Sequence, residues 1–212
     1  MYLPPVFTET RLPILQQAIR ACGLATVVTF RGQDGLCADH LPLVLCNGPE
    51  DGPLGTLLGH VSRANPLSCG LVGDCESLVI FGLGGGYISP SWYPSKAEHG
   101  MVVPTWNYIT VHAYGWLETF EEPDRLREVV AHLTDIHEAG RDSPWRVADA
   151  PAAYIAKQLK GVVGLRLRIA RLEGKWKMSQ NRTTADRDGA IAGLRDSAVA
   201  GDCAPGSHNP RA

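Results

Sequence analysis

The segment Thr105–Phe120 constrains the fold of this chain most, because its side chains alternate in character along its length. Successive side chains of a β-strand point to opposite faces, so this alternation predicts one long strand. One face carries ordinary core residues: Ile109, Val111, Ala113 and Leu117. The other face carries aromatic and hydrogen-bonding residues: Trp106, Tyr108, Thr110, His112, Tyr114 and Trp116. Since this second face is not charged, we expect it to be covered by another sheet, a subunit or a flat ligand.

Further strands are predicted by short runs that are rich in β-branched residues or that alternate. These runs cover residues 24–30, 36–45, 56–61, 77–82 and 161–174. Pro42 cannot donate a backbone hydrogen bond, so the second run is predicted to lie at a sheet edge or to contain a bulge. The glycine-rich run at 82–86 lacks the spacing and the following helix of a dinucleotide-binding loop, and we do not interpret it as one.

Helices are predicted where apolar residues recur at helical spacing, first over residues 12–22 and then over 122–139. A third helix is predicted around Pro151, with Asp149 as its N-cap, and a short last helix is predicted over 186–198. Many short strands with a few late helices favour a mainly β or α+β fold built on a small antiparallel barrel.

Composition and cysteine spacing argue against several functional classes. The chain has 212 residues and a net charge of −2. It therefore lacks the excess of basic residues that is typical of nucleic-acid-binding proteins. No apolar run reaches the roughly 20 residues of a membrane helix, and the N-terminus lacks a signal-peptide pattern, so we expect a cytoplasmic protein without membrane contact. The cysteines form no C-x-x-C pair, which argues against a metal site.

We predict one domain over residues 1–195 and a disordered tail over 196–212.

A series of motifs, in order along the chain, resembles one known family. The motifs are MYLPPVF, ADHLPLVL, GHVSRANP, YISPSWYPSK, VPTWNYITVHAYG, LTDIHEAGRDSPW and LEGKWKMSQNR. The chain resembles the PaiB family of FMN-binding negative transcriptional regulators over residues 1 to about 195. The resemblance implies a split barrel, an antiparallel Greek-key barrel with peripheral helices. It also implies a homodimer that binds flavin at the subunit interface, and a repressor role in a bacterium. Gly84 and Gly85 depart from the family pattern, which usually has Gly-Pro before the tyrosine that is Tyr87 here.

FMN requires cations and hydroxyl donors for its phosphate and a flat, largely apolar slot for its ring. The phosphate candidates are Ser62 with Arg63, Ser91 and Ser95 with Lys96, and Ser179 with Arg182 near Lys175 and Lys177. The ring candidates are Trp92 and Trp106, with Tyr93 and Tyr108 behind them. The other candidate contacts are His60, Asn65, Thr105, Asn107, His112, Gln180 and Asn181.

These residues leave other interpretations open. Lysines and arginines usually face water, and the rings can pack a dimer interface without a cofactor. Haem b is the alternative cofactor, with His60 as axial ligand, because some split-barrel proteins that resemble this family hold haem instead of flavin. Piperazate synthases, haem enzymes that form a nitrogen–nitrogen bond, look like distant relatives, so a similar reaction is the alternative activity. No Ser-His-Asp arrangement is recognisable, and no catalytic acid or base is identified. If flavin is bound, we expect an oxidoreductase activity on a small molecule. A third interpretation is a regulatory or interaction protein without cofactor.

Direct DNA binding is not expected. Arg166, Arg168 and Arg171 form a basic stripe, but no helix-turn-helix with a basic second helix is visible. Charge runs of this kind are usually the solvated face of an element. Phosphate contacts dominate DNA affinity and require many cations on one face, so any role in repression is expected to be indirect.

Overall fold

The computed structural model describes residues 1–69, 71 and 75–199. The strands are β1 (Thr8–Glu9), β2 (Ala25–Phe30), β3 (Leu36–Leu41), β4 (Val44–Cys46), β5 (Thr56–Ser62), β6 (Ser77–Ile88), β7 (Thr105–Phe120) and β8 (Val162–Lys177). The helices are α1 (Leu12–Ala21), α2 (Ser95–His99), α3 (Pro123–Glu138), α4 (Ala152–Leu159) and α5 (Thr184–Val199). Most of the tail predicted over 196–212 lies outside the described residues.

The strands belong to one sheet with the order β3-β2-β6-β7-β8-β5-β4, and β1 pairs with β8. The registered pairs are antiparallel: Val27 lies opposite Asp39 on β3 and opposite Val79 on β6. β3 and β4 are the two ends of this order, so the sheet of the described residues is not closed. The predicted α+β class with a mostly antiparallel sheet is confirmed.

The prediction for residues 105–120 is confirmed, since β7 begins and ends at these positions. Val111 and Ala113 on the predicted core face are fully buried. Trp106 and Trp116 on the other face are 55% and 52% exposed. The aromatic face of β7 therefore keeps two large rings accessible in the single chain.

The prediction of one strand over residues 36–45, at a sheet edge or with a bulge at Pro42, is right only for the edge position. The run 36–45 forms two strands, β3 and β4, which are separated at Pro42 and Leu43 and lie at opposite ends of the sheet. Pro42 itself lies between the two strands, where its missing N–H cannot continue the ladder of β3.

The prediction that Asp149 caps α4 is wrong, since Pro151 occupies the N-cap position. Asp149 instead ends a short 3-10 turn, Val147–Asp149, in which its Oδ2 accepts a hydrogen bond from the backbone N–H of Arg146 at 2.8 Å. Its carboxylate is used by the turn that precedes the helix and is not placed at the helix start.

One compact unit, here called the large unit, comprises Arg11–Phe81 and Val111–Leu172. In its core, buried leucine, valine and isoleucine side chains of α3 and α4 pack with Phe120. The Phe120 ring lies over the bare backbone of Gly164, where no Cβ would fit. The amphipathic stripe predicted for α3 is thus confirmed by the burial of Leu126, Val129 and Leu133.

The other compact unit, here called the small unit, comprises Met1–Thr10, Gly82–Thr110 and the described residues from Glu173 onward. Its core contains Ile88, Tyr93 and Ala190, with Trp92 and Leu194 packed against them. The prediction of a single domain over residues 1–195 stays a prediction. Within the described residues, no helix combines the length and apolarity needed to cross a bilayer.

Candidate functional site

Several residues predicted to bind a cofactor line one cavity of about 180 Å³ in the small unit. Phe7, Val103 and Pro104 form the apolar part of its lining. We call the polar lining residues the cradle: Thr105, Asn107, Lys177, Ser179, Asn181 and Arg182. The start of β7, the end of β8 and the turn after β8 thus supply a mixed set of cations, hydroxyls and amides, which are the donor types that bind a phosphate group.

Lys177 connects the end of β8 to the start of β7. Its Nζ donates to the hydroxyl of Thr105 and to the carbonyl of Trp106. The Thr105 oxygen accepts from Lys177, so the hydroxyl hydrogen remains available as a donor. Partial burial lowers the pKa of Lys177, and the positive charges of Lys175 and Arg182 lower it as well, against an opposing effect of Tyr108. An anion in the cavity would favour the charged ammonium and reverse this shift.

Ser179 is fixed in the cradle by a buried pair of hydrogen bonds. Asn107 Nδ2 donates to Ser179 Oγ at 3.0 Å, and Ser179 Oγ donates to Asn107 Oδ1 at 3.1 Å. Ser179 has φ of 61°, and it is the one non-glycine residue with positive φ in the described chain. Anion-binding nests are built from a left-handed residue next to a right-handed one, and Ser179 supplies a left-handed residue in a turn.

The turn after β8 is held in shape by Gln180. Its Oε1 accepts from the backbone N–H of Met178 at 2.7 Å, and its Nε2 donates to the carbonyl of Trp176. The backbone N–H of Arg182 donates to the carbonyl of Ser179 at 3.0 Å. Gln180, a predicted cofactor contact, therefore shapes the turn, while its neighbours line the cavity.

Arg182 is oriented by two groups outside the cavity. Its guanidinium lies 5.0 Å from the ring centroid of Tyr93, within cation–π distance. Burial raises the pKa of Asp186, but hydrogen bonds from Ser95 and the charge of Arg182 outweigh it and hold that pKa below its usual range. The Asp186 carboxylate is therefore charged and attracts Arg182 electrostatically.

Trp92 was predicted to stack on a cofactor ring, and the structure gives it a packing contact. Its indole and its carbonyl lie against Gly193 and Gly189 of α5, so closely that neither glycine has room for a Cβ. Asp186 strengthens this contact, because its carboxylate accepts from the N–H and the hydroxyl of Ser95 at 3.1 and 2.8 Å. One face of Trp92 is thus covered by α5.

Trp106, the second ring candidate, is accessible. It forms an edge-to-face pair with Tyr87, with ring centroids 6.3 Å apart, and Tyr87 is 43% exposed. Met101, Val103 and Met178 of the small unit are also exposed. An exposed aromatic pair is typical of a surface that binds a ligand or another protein.

The predicted phosphate group around Lys96 is separate from the cradle. Lys96 Nζ donates to Ser91 Oγ at 3.0 Å on the surface. Ser95, which was predicted to assist it, is buried and hydrogen-bonded to Asp186. The group keeps one lysine and one serine for an anion, fewer donors than the cradle offers.

Arg63, in the large unit, is already engaged. Its guanidinium donates to the carbonyls of Lys160 and Val162 at 3.0 and 3.4 Å and pairs with Glu121 Oε2 at 3.0 Å. These three acceptors fix the side chain and neutralise its charge. A phosphate at Arg63 would have to compete with them.

His60 faces a different cavity of the large unit, of about 350 Å³, which Pro42, His137 and Trp145 also line. Its Nδ1 is buried and has no hydrogen-bond partner among the described residues. Burial lowers the pKa of His60, so the neutral imidazole is favoured at neutral pH. No cluster of three or more metal-ligating side chains occurs in the described part of the chain.

The remaining predicted residues of the large unit have local partners. Ser62 Oγ accepts from the N–H of Ala64 at 3.3 Å. Asn65 accepts from the N–H of Leu67 at 2.8 Å and donates to Asp39 at 2.8 Å. The His112 ring lies 6.2 Å from that of Tyr114. Ser62 and Asn65 thus build the turn after β5.

The sequence placed Lys177 and Lys175 together beside the phosphate candidates Ser179 and Arg182, and it did not indicate Phe7. Lys177 follows Lys175 at period two, which places both on one face of a strand, but Lys175 Nζ donates to the carbonyl of Tyr2 and not into the cavity. Phe7 reaches the cavity because the next residue, Thr8, pairs with Lys175 on β8. The structure thus separates the two lysines, with only Lys177 lining the cavity, whereas nothing local indicates Phe7.

A profile of the family described as "Putative FMN-binding domain" matches residues 1–171. The chain belongs to this family. Two relatives support the assignment. An uncharacterised protein of Emericella nidulans is 35% identical, over 96% of this chain and 94% of the relative. "Protease synthase and sporulation protein PAI 2" of Bacillus subtilis is 32% identical, over 92% of this chain and 90% of the relative. The PaiB resemblance drawn from the motifs is confirmed, and the family includes fungal members.

Solved structures confirm the split-barrel fold. The FAD and haem binding protein of Mycobacterium smegmatis has a TM-score of 0.59 at 19% identity, and the match covers 88% of this chain and 79% of that protein. Flavocytochrome Anf3 of Azotobacter vinelandii also has a TM-score of 0.59, at 14% identity, with coverage of 86% and 73%. At such identities the likeness extends to the fold alone.

Proposed function

We propose that this chain is a flavin-binding protein and that the cradle binds the phosphate of FMN. The observation that carries the proposal is the combination of Lys177 and Arg182 with the left-handed Ser179 around one cavity. Family membership supplies the flavin as the ligand class. Two solved split barrels, the FAD and haem binding protein of Mycobacterium smegmatis and flavocytochrome Anf3, are named as flavin or haem proteins and are consistent with it.

The donors of the cradle fit a phosphate group. Lys177 and Arg182 bring two positive charges, and the nearby Lys175 adds a third. Asp186 offsets one of these charges through its attraction to Arg182. The N–H groups of Gln180 and Asn181 meet no acceptor within the described chain, and the Thr105 hydroxyl has a hydrogen to donate. Charge-assisted bonds of this type are about twice as strong as neutral ones.

A cavity of about 180 Å³ has room for a phosphate but not for a whole drug-sized ligand, whose sites measure roughly 300–1,000 Å³. We propose that the flavin ring lies on the exposed Trp106 surface and that a second copy of the chain covers it. A homodimer accounts for the exposed aromatic face of β7, and isologous dimers are the commonest oligomers.

Bound flavin would supply electron or hydride transfer. The residues of this chain would hold it: Lys177 and Arg182 neutralise the phosphate, Thr105 donates to it, and Asn107 keeps Ser179 in place. An oxidoreductase activity on a small molecule is the activity we propose for such a complex.

We propose that any role in repression does not involve direct contact with DNA. Two arginines of the basic stripe already pair with carboxylates: Arg166 with Glu118 at 3.6 Å and Arg171 with Glu76 at 3.4 Å. Paired arginines contribute little to phosphate binding. A gel shift at moderate salt should give no band, and a salt-resistant, sequence-specific shift would contradict this.

The test of the flavin proposal compares FMN with riboflavin, which lacks the phosphate. Lys177→Gln and Arg182→Gln should each weaken FMN binding at least about tenfold, which corresponds to about 1.4 kcal/mol, and leave riboflavin binding unchanged. Arg195→Gln, at an exposed position of α5, is the control. Lys96→Gln and Arg63→Gln test the other phosphate candidates. If either of these two weakens FMN binding and the cradle variants do not, the phosphate lies elsewhere.

Haem is a second candidate ligand, favoured by one observation. The neutral imidazole of His60, with a buried nitrogen that has no partner, is the form that ligates iron. We propose that His60 would be the axial ligand if haem were bound. The absorbance spectrum of the purified protein separates the candidates: flavin bands favour the first proposal, and a Soret band that shifts in His60→Ala favours the second.

A further inference from the structure

A cleft of about 510 Å³ lies in the large unit, formed by different residues from those of the cradle. The beginning of α3, the end of α4 and the turn after β5 form its walls. Its floor contains Leu126 and Leu159, which are 2% and 7% exposed and belong to the core. Pro123 and Ala156 complete the apolar lining. The volume lies within the range of small-molecule sites.

The charges around this cleft are not balanced. Its lining contains the cations Arg63, Arg127 and Lys160 and the carboxylates Glu121 and Asp124, an excess of one positive charge in a chain whose net charge is −2. Arg63 and Glu121 neutralise each other at 3.0 Å. Arg127 and Lys160 pair with no carboxylate among the described residues and are exposed. Two cations outside ion pairs and the single carboxylate of Asp124 therefore remain beside the apolar floor, which leaves the excess of one positive charge.

The position of Arg63 stiffens one wall of the cleft. Its guanidinium bonds to the carbonyl of Lys160 at 3.0 Å, directly after α4, and its partner Glu121 precedes α3. One side chain thus ties together the ends of the two helices that form the walls. A preformed cleft binds a ligand without the cost of closing around it.

We propose that this cleft binds a small organic anion with an apolar body, such as an aromatic or aliphatic carboxylate or sulfonate. The apolar body would lie on Leu126 and Leu159, and the anionic group would face Arg127 and Lys160. Neither a purely polar anion nor a neutral hydrocarbon would use both halves of the lining. This site does not depend on flavin binding.

Anilinonaphthalene sulfonate is a suitable probe, because it combines an aromatic body with one negative charge and fluoresces when buried. The native protein should bind it saturably and with one-to-one stoichiometry at the cleft. Ala156→Trp should fill the cleft and weaken binding at least about tenfold. Ala153→Trp is the matched control on the same helix, since Ala153 is exposed and does not line the cleft.

The charge requirement is tested separately with the uncharged analogue N-phenylnaphthylamine. Arg127→Gln combined with Lys160→Gln should weaken sulfonate binding about fivefold and leave the uncharged probe unaffected, with Lys157→Gln as control. Circular dichroism and thermal melting check that each variant is folded. The proposal is overturned if the native protein shows no saturable binding, or if Ala156→Trp and Ala153→Trp bind the sulfonate equally well.

Discussion

The indole ring of Trp92 lies directly on Gly193, in the space that a side chain at position 193 would occupy. Gly189, one turn earlier in α5, lies equally close to the carbonyl of the same tryptophan. α5 thus docks through two glycines, and Arg182 of the cradle lies just before this helix. The contact between Trp92 and Gly193 therefore connects helix docking to the position of a proposed phosphate ligand.

Gly193→Ala should displace α5 from Trp92. Adding a methyl group to a packed contact typically costs about 1–3 kcal/mol. The tryptophan emission should shift to longer wavelength as the indole meets water, and the free energy of unfolding should fall by about this amount. FMN binding should weaken more than riboflavin binding because Arg182 loses its support. Gly140→Ala is the control, since a Cβ at Gly140 meets nothing within 4 Å; equal effects of both variants would contradict the docking argument.

Ser179 allows backbone strain to be separated from hydrogen bonding. Ser179→Ala and Ser179→Gly both remove the hydroxyl that bonds to Asn107, but only glycine adopts φ of 61° without steric cost. The glycine variant should therefore be more stable than the alanine variant by about 1 kcal/mol. Urea unfolding measures the difference. Equal stabilities would mean that the left-handed backbone at this position stores no strain.

FMN binding should weaken at alkaline pH because Lys177 loses its positive charge. The pKa of Lys177 is lowered in the free protein, so its charge is lost as pH rises through a value below the ordinary value of about 10.4. The preference for FMN over riboflavin should therefore decline as pH rises into the alkaline range, before the ordinary lysine value is reached. Lys177→Arg keeps its charge in this range and should remove the decline. A constant preference in the unsubstituted protein would exclude Lys177 from phosphate binding.

His60 should make the protein less stable at mildly acidic pH. Its pKa in the folded protein lies below the unfolded value of about 6.5, so the unfolded chain binds a proton first as pH falls. The contribution to stability is therefore complete above about pH 6.5 and is lost below it. Urea unfolding at pH 7.5 and 5.5 should show a smaller loss for His60→Asn than for the unsubstituted protein. His99→Asn, at an exposed histidine, should behave like the unsubstituted protein.

Features that depend on local pattern were predictable from the sequence. The bounds of β7 follow from alternation, and the buried stripe of α3 follows from helical spacing. α2 was not predicted because five residues after Pro94 are too few to show a period. Asp149 was assigned to the wrong cap, because a turn immediately before α4 competes for the same carboxylate.

The candidate site was predicted only in part, because it depends on long-range pairing. Serine gives no sequence signal for a left-handed backbone, so the conformation of Ser179 could not be anticipated. The contact of Lys177 with Thr105 joins residues 72 positions apart, and a single sequence does not specify it. The motif at residues 179–182 was recognised in the sequence. Its hydrogen bond to Asn107 on β7 is seen only in the structure.

The place of the Phe120 ring above Gly164 has a consequence for comparing relatives. Any side chain at position 164 would collide with this ring, whether or not the protein binds a cofactor. A glycine retained there across an alignment would record the packing of the core and should not be counted in a ligand signature. A relative that binds no flavin would still need glycine at this position, because the Phe120 ring leaves no room for a side chain.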